Sequence, residues 1–230
     1  MRGNDHPDLI KITATGGVLS VAKSSSNPQF FNEEIEEIVK TAKDYGFHVA
    51  AHAHGDEGMQ RAVRAGVKTI EHGTLMSEET MDLMKQMNAY LVPTITAGKE
   101  VTENAEIDGY YPDLVVPKAQ EIGPKIQNTF ANAYKRGVPI LFGTDAGVFN
   151  HGENAREFEY MTEAGMPVME AIISATITPA IVLNMENESG QIASGFYADI
   201  IAVNEDPTKN VSTLKEVVFV MKEGKVYKNK

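Results

Sequence analysis

The sequence contains no cysteine. That absence excludes a disulfide framework, a thiolate nucleophile and a zinc site built on cysteine ligands. No apolar run approaches the roughly 18 residues that a membrane-spanning helix requires. The segment Met1–Pro7 also lacks the apolar stretch of a signal peptide. We therefore expect no membrane partner and, by default, a cytoplasmic location.

Basic charge is scarce as well. The chain has 21 Lys and Arg residues against 32 Asp and Glu residues, which gives a formal net charge of -11. This balance argues against a nucleic-acid partner, because binding a phosphate backbone requires a basic surface. Its 230 residues, 42% of them hydrophobic, suffice for one large core or for one domain with an appendage.

Short apolar runs, each followed by helix-like sequence, recur through most of the chain. This alternation predicts an α/β fold of parallel strands, and we interpret it as a TIM-like (β/α) barrel. We expect about five strand–helix units in residues 1–185, with the last strand at Pro139–Gly143, whereas a closed barrel needs eight. Residues 186–230 have strands without crossover helices and are predicted to form a small β-sandwich part. Residues 94–116 are predicted to be a long loop, a lid or a binding loop.

Residues that can bind a metal stand at the ends of four predicted strands: Lys11, His52, His72 and Asp145. The carboxyl ends of barrel strands carry the active site of this architecture. Imidazole nitrogens and carboxylate oxygens bind zinc-type ions, and such an ion supplies an activated hydroxide. Asp145 could pass the proton of that water to a departing amine. Lys11, if its pKa is lowered, could react with carbon dioxide and bridge two metals as a carbamate.

Each residue also has a simpler interpretation. His52 alone could be a hydrogen-bonded structural histidine, Asp145 a helix cap, and Lys11 the partner of an acid. His54 has the same parity as His52 and could be a ligand, a substrate contact or the start of a helix. His6 is predicted to be a solvated terminal residue. These separate interpretations do not explain why Lys11, His52, His72 and Asp145 all stand at the same end of four predicted strands.

The same residues lie in runs that resemble the amidohydrolase superfamily. Within it they are similar to the imidazolonepropionase-related branch that holds the Xaa-Pro dipeptidases, or prolidases. The resemblance covers nearly the whole chain. The runs are Ile10-Lys11-Ile12 with Thr15-Gly16-Gly17, His52-Ala53-His54-Gly55, Ile70-Glu71-His72-Gly73-Thr74 and Gly143-Thr144-Asp145-Ala146-Gly147.

The resemblance implies a metal-dependent hydrolase of dipeptides, of the Xaa-Pro type, or of N-acyl amino acids. It implies one or two divalent ions, zinc above all, in the full-length enzyme. The implied ligands are a carboxylated Lys11, His52, His72 and Asp145, with Asp145 also moving the proton. It favours His52 over His54 as the ligand, which leaves His54 and His151 as substrate contacts. His151 could equally be a surface histidine.

Two departures from the family pattern stand out. No His-Xaa-His pair precedes Lys11, and the first three barrel strands have no counterpart. We therefore expect a C-terminal portion of a larger enzyme, whose partner is the missing N-terminal part or a second copy. Such a chain alone would have weak or no activity. The alternatives are a cyclic-amide hydrolase and a catalytically incomplete fragment. Gly55 disfavours a deaminase, because related aminohydrolases usually have glutamate there.

Overall fold

The computed structural model describes residues 7–230, so the prediction for His6 lies outside the described residues. This part of the chain forms two compact units. Residues 7–93 and 98–140 make the first unit, and residues 94–97 and 141–230 make the second. The predicted boundary between residues 185 and 186 stays a prediction.

A four-stranded parallel sheet organises the first unit, and its strands pair in chain order. The strands are β1 (Leu9–Thr13), β2 (His48–Ala53), β3 (Thr69–His72) and β4 (Tyr90–Val92). Helices connect each strand to the next, as the sequence predicts for β/α units. The first five helices of the chain are, in order, α1 (Asn32–Asp44), α2 (Asp56–Ala65), α3 (Glu78–Met87), α4 (Ile95–Ala105) and α5 (Val116–Arg136). The first residues of α4 belong to the second unit.

The pairing register gives the sheet two different faces. One row across the four strands is apolar and buried: Ile12, Ala51, Ile70 and Leu91. Side chains alternate between faces along a strand, so the neighbouring residues point the other way. That second face carries Lys11 and the row Thr13, His52 and Glu71. Lys11, His52 and Glu71 therefore share one face of the sheet.

Capping residues mark the ends of two helices in this unit. Ser77 is the N-cap of α3, and its Oγ accepts the backbone N–H of Thr80 at 3.2 Å. Asp56 accepts the backbone N–H of Ser77 at 2.7 Å and so joins α2 to the start of α3. Gly66 ends α2 with a φ of 98°, a left-handed conformation that glycine adopts without steric cost. Helix α2 therefore ends just before β3, and α3 begins just after it.

The predicted loop over residues 94–116 is wrong in its first half, where α4 spans Ile95–Ala105. The acceptor that starts this helix comes from far along the chain. The carboxylate of Glu157 accepts the backbone N–H groups of Ile95 and Thr96 at 2.7 and 2.8 Å. Local sequence carries no trace of such a cap. One signal was present, however, because the buried residues Ala97, Val101 and Ala105 recur every four positions.

The predicted fifth strand, Pro139–Gly143, is reduced to one parallel bridge between Leu91 and Ile140. Proline explains part of this, since Pro93 and Pro139 have no N–H to donate to a ladder. In addition, Phe142 donates its N–H to the carbonyl of Ser174 at 2.9 Å. The backbone beyond Ile140 is therefore paired elsewhere, and no regular strand forms.

The second unit combines helices with a small antiparallel sheet. The sheet order is β5-β6-β7, so the predicted small C-terminal β part is present as these three strands. Within residues 7–230, no helix has the length and apolar character that a membrane crossing requires. The elements are α6 (Arg156–Glu163), α7 (Val168–Ala175), α8 (Ile177–Val182), a 3-10 helix (Val211–Lys215), β5 (Ile200–Ala202), β6 (Phe219–Lys222) and β7 (Lys225–Asn229).

Candidate metal centre

Three histidines meet at the carboxyl ends of β2 and β3. One ring nitrogen from each of His52, His54 and His72 lies within 4.8 Å of the others. The ring centroids are 4.8 Å apart for His52 and His54, 4.6 Å for His52 and His72, and 4.9 Å for His54 and His72. We call these residues the histidine cluster. In the part of the chain that the structure describes, it is the grouping able to hold a metal ion.

The backbone explains how neighbouring strands deliver three rings to one place. His52 and His54 are two residues apart, so strand alternation gives them the same side. His72 pairs in register with Ala53 and would by alternation point away from His52. Its φ of 72° turns the chain at the end of β3 and lets the ring reach the cluster. A left-handed conformation in a residue other than glycine is costly and is typical of functional sites.

Burial in the cluster keeps His54 and His72 in the form that binds a metal. Burial, together with the nearby His52, lowers the pKa of His54 to about 3. Burial also lowers the pKa of His72 well below its usual value, with further contributions from His54, His52 and Lys11. Both rings are therefore neutral near pH 7. Neutral imidazole is the ligand that zinc-type ions take, so the donor set fits a divalent metal.

Two threonines hold His54, and sequence reasoning missed both. Thr15 Oγ1 accepts the backbone N–H of His54 at 2.9 Å, and Thr74 Oγ1 lies 3.0 Å from His54 Nδ1. Both hydroxyls are buried, and His54 itself is 5% exposed. The contact at Nδ1 leaves Nε2 as the nitrogen available to a ligand. Thr15 and Thr74 each follow a predicted strand, the one position signal that could have found them.

Lys11 reaches an acid rather than standing alone. Its Nζ forms an ion pair with Glu71 Oε2, across the small residue Ala50 of the intervening strand. Thr69 also donates its hydroxyl to Glu71. The Lys11 side chain is 49% exposed, so it is not enclosed as a barrel-wall residue would be. This pair is the simpler of the two interpretations of Lys11, and carboxylation of its amine stays a prediction.

The other two predicted site residues belong to the second unit. Asp145 is exposed and has a φ of 56°, the second predicted ligand with a left-handed backbone. Thr144, beside it, accepts a hydrogen bond from the side chain of Asn154 at 3.1 Å. His151 lies in an exposed turn of the following loop. Their predicted roles in metal binding, proton transfer and substrate contact stay predictions.

A family model described as "Amidohydrolase family" matches residues 4–227. The chain belongs to the amidohydrolase family. This confirms the predicted family, a family of hydrolases, and with it the predicted partial β/α barrel. The histidine cluster thus lies at the strand ends of an amidohydrolase fold.

Relatives and solved structures agree with this assignment. Ochratoxinase from Aspergillus niger is 32% identical over 225 residues, which are 96% of this chain and 46% of that protein. A crystal structure of a Xaa-Pro dipeptidase with methionine bound in its active site is 55% identical, with a TM-score of 0.95, over 96% of this chain and 55% of the other. A prolidase complexed with N-methylphosphonate-L-proline is 31% identical, with a TM-score of 0.88, over 97% and 55%. This amidohydrolase chain spans about half the length of the proteins it matches.

Gly55 offers a first test of how the cluster is held. A Cβ on Gly55 would lie 1.9 Å from the carbonyl oxygen of Ser26, which is backbone and cannot swing aside. We expect Gly55→Ala to lower the free energy of unfolding by about 3 kcal/mol, as overpacking does. Gly46→Ala is the control, since it has a φ of 78° and open space, and should cost about 1 kcal/mol. Urea unfolding measures both, and equal losses would contradict this packing.

Proposed function

We propose that the protein containing this chain hydrolyses an amide bond with the help of a divalent metal ion held at the histidine cluster. The cluster is the observation that carries the proposal, because three convergent imidazoles suit zinc chemistry. His52 and His72 are the proposed ligands. A divalent ion, when bound, supplies Lewis acidity that polarises an amide carbonyl and makes water more acidic.

The residues of the chain have separate tasks in this proposal. His54 has one nitrogen engaged by Thr74, so it presents a fixed ring to a ligand or a substrate. Asp145 takes a proton from the attacking water and delivers it to the amide nitrogen as the C–N bond breaks. This role, and that of His151 as a substrate contact, rest on the resemblance. Lys11 is the fourth proposed ligand, in its carboxylated form.

The proposed substrate is a dipeptide of the Xaa-Pro type or an N-acyl amino acid. Two solved structures similar to this chain are described as a Xaa-Pro dipeptidase with bound methionine and a prolidase complexed with N-methylphosphonate-L-proline. Ochratoxinase is a further relative. A cyclic-amide hydrolase is the enzymatic alternative, and a chain that binds metal without turnover is the non-catalytic one. The predicted partner, a missing N-terminal part or a second copy, stays a prediction.

A substrate panel tests the proposal. The protein in its full native length, loaded with zinc, is assayed against Xaa-Pro dipeptides, N-acyl amino acids and cyclic amides. We expect turnover of the first two classes and loss of it when a chelator removes the metal. His48→Asn is the matched control, because His48 lies in the same strand as His52 but outside the cluster, and it should keep full activity. Turnover that survives complete metal removal would reject the proposal.

A further inference from the structure

A buried lysine lies beneath the loop that follows β1. Lys118, in α5, is 6% exposed. Its Nζ donates to the carbonyl oxygens of Gly17 at 3.3 Å, Ser20 at 2.6 Å and Ala22 at 2.9 Å. An ammonium has three N–H donors, so all of them are used. Burial lowers the pKa of Lys118, and no carboxylate of the described residues pairs with it. Three carbonyl dipoles therefore stabilise this charge.

The loop that Lys118 holds borders the histidine cluster. We call residues 16–22 the β1 loop. The carbonyl oxygen of Gly16 lies 3.4 Å from His52 Nε2. A Cβ added to Gly17 would lie 3.6 Å from the same nitrogen, so the backbone there forms a wall beside the ring. Ser20 Oγ also donates to the Gly17 carbonyl, at 2.8 Å. One of the three carbonyls that Lys118 holds belongs to Gly17, the residue that follows Gly16 beside His52.

We propose that Lys118 is a positioning residue that fixes the β1 loop against His52 and thereby sets the orientation of this ring. If Lys118 only filled space, a methionine of similar length would replace it without consequence for His52. With a methionine, however, the part-buried carbonyls of Ser20 and Ala22 lose this donor, and that of Gly17 keeps only its bonds from Ser20. The loop must then move to find water or another partner. As far as metal binding is concerned, this inference rests on the proposed function.

The first test is a spectroscopic one on metal-free protein of full native length. Side-chain nitrogen signals of labelled histidines are recorded by NMR for the parent and for Lys118→Met. We expect the His52 signal to shift or broaden while that of His48, in the same strand, stays unchanged. Lys125→Met is the control on the same helix, since Lys125 is exposed and pairs with Glu121. No change at His52, or an equal change at His48, would overturn the proposal.

Ser20→Ala keeps the test decisive if Lys118→Met fails to fold. This variant removes the second donor to the Gly17 carbonyl and leaves Lys118 in place. We expect the same displacement of the His52 signal, smaller in size. An unchanged His52 signal in a folded Ser20→Ala protein would count against the proposal.

Zinc affinity gives the second readout. We expect Lys118→Met to bind zinc about 10-fold more weakly, in the range found for residues that orient a ligand, and Lys125→Met to match the parent. Equal affinity in Lys118→Met and the parent would overturn the proposal. If the parent itself binds no zinc, the proposed function fails, and the His52 signal in metal-free protein still decides the role of Lys118.

Discussion

We expect His72→Asn to lower zinc affinity by at least about 100-fold, because even residues that only orient a metal ligand are worth about 10–100-fold. The asparagine is chosen for the backbone. His72 has a φ of 72°, and asparagine tolerates this left-handed region better than most residues. The variant thus removes the imidazole without adding backbone strain. Isothermal titration with zinc in a competing chelator measures the affinity.

Because His72→Asn is expected to lose its metal ion, its catalytic activity should fall as well. Lewis-acid catalysis is worth several kcal/mol, so we expect kcat/KM to fall by about 1,000-fold, which corresponds to about 4 kcal/mol. His48→Asn, a histidine outside the cluster, should retain zinc affinity and kcat/KM within about twofold of the parent, as expected of a residue that contacts neither metal nor substrate. A His72→Asn protein that binds zinc as tightly as the parent would contradict the ligand role of His72.

The second large effect is expected at Glu157. This carboxylate is fully buried and accepts bonds from Ile95 N, Thr96 N and Thr96 Oγ1, the last at 2.6 Å. Glu157→Ala leaves three donors without an acceptor at the start of α4, and each buried donor costs about 1–3 kcal/mol. We expect a loss of about 4 kcal/mol in the free energy of unfolding, measured in urea. Glu153→Ala, at a partly exposed ion pair with Arg156, should lose less than about 1 kcal/mol.

The same residue should make stability depend on pH. Burial raises the pKa of Glu157 from 4.5 to about 7, although bonds from Thr96 and Ile95 oppose the shift. Between these values the folded state binds more protons than the unfolded state, so the free energy of unfolding falls as pH rises. The loss should reach about 3 kcal/mol by pH 7 and above. Glu157→Gln does not titrate, so the stability of the parent relative to this variant should decline from pH 4.5 to 7. A flat difference would contradict the shift.

The sequence allowed the parallel sheet and two of the cluster residues to be predicted. Local signals were sufficient there, because apolar runs mark β1 to β4 while Gly66 and Ser77 mark helix ends. Strand-end position singled out His72 and the His52–His54 pair, and the family resemblance favoured His52 as the ligand. The membership of His54 was left open by its spacing. Its backbone N–H is held by the hydroxyl of Thr15 and its ring by that of Thr74, which only the folded chain brings together.

Long-range contacts account for what the sequence did not predict. Helix α4 begins at an acceptor 61 residues from Thr96, so no local cap signal exists for it. The ion pair of Lys11 with Glu71 depends on the order of β1, β2 and β3 in the sheet, which places the two side chains on one face. The role of Lys118 could not be predicted either, because its hydrogen-bond partners lie about 100 residues away in the sequence. Lys118 is an ordinary helix residue until the β1 loop folds over its ammonium group.

The metal content of the purified protein tests directly whether the histidine cluster holds a metal ion. The parent and the double variant His52→Asn/His72→Asn are loaded with zinc, freed of excess and analysed for metal per chain. We expect about one divalent ion or more per chain in the parent and none in the double variant, because two of the three imidazoles of the cluster are gone. Equal metal content in the two proteins would show that the histidine cluster is not the metal site.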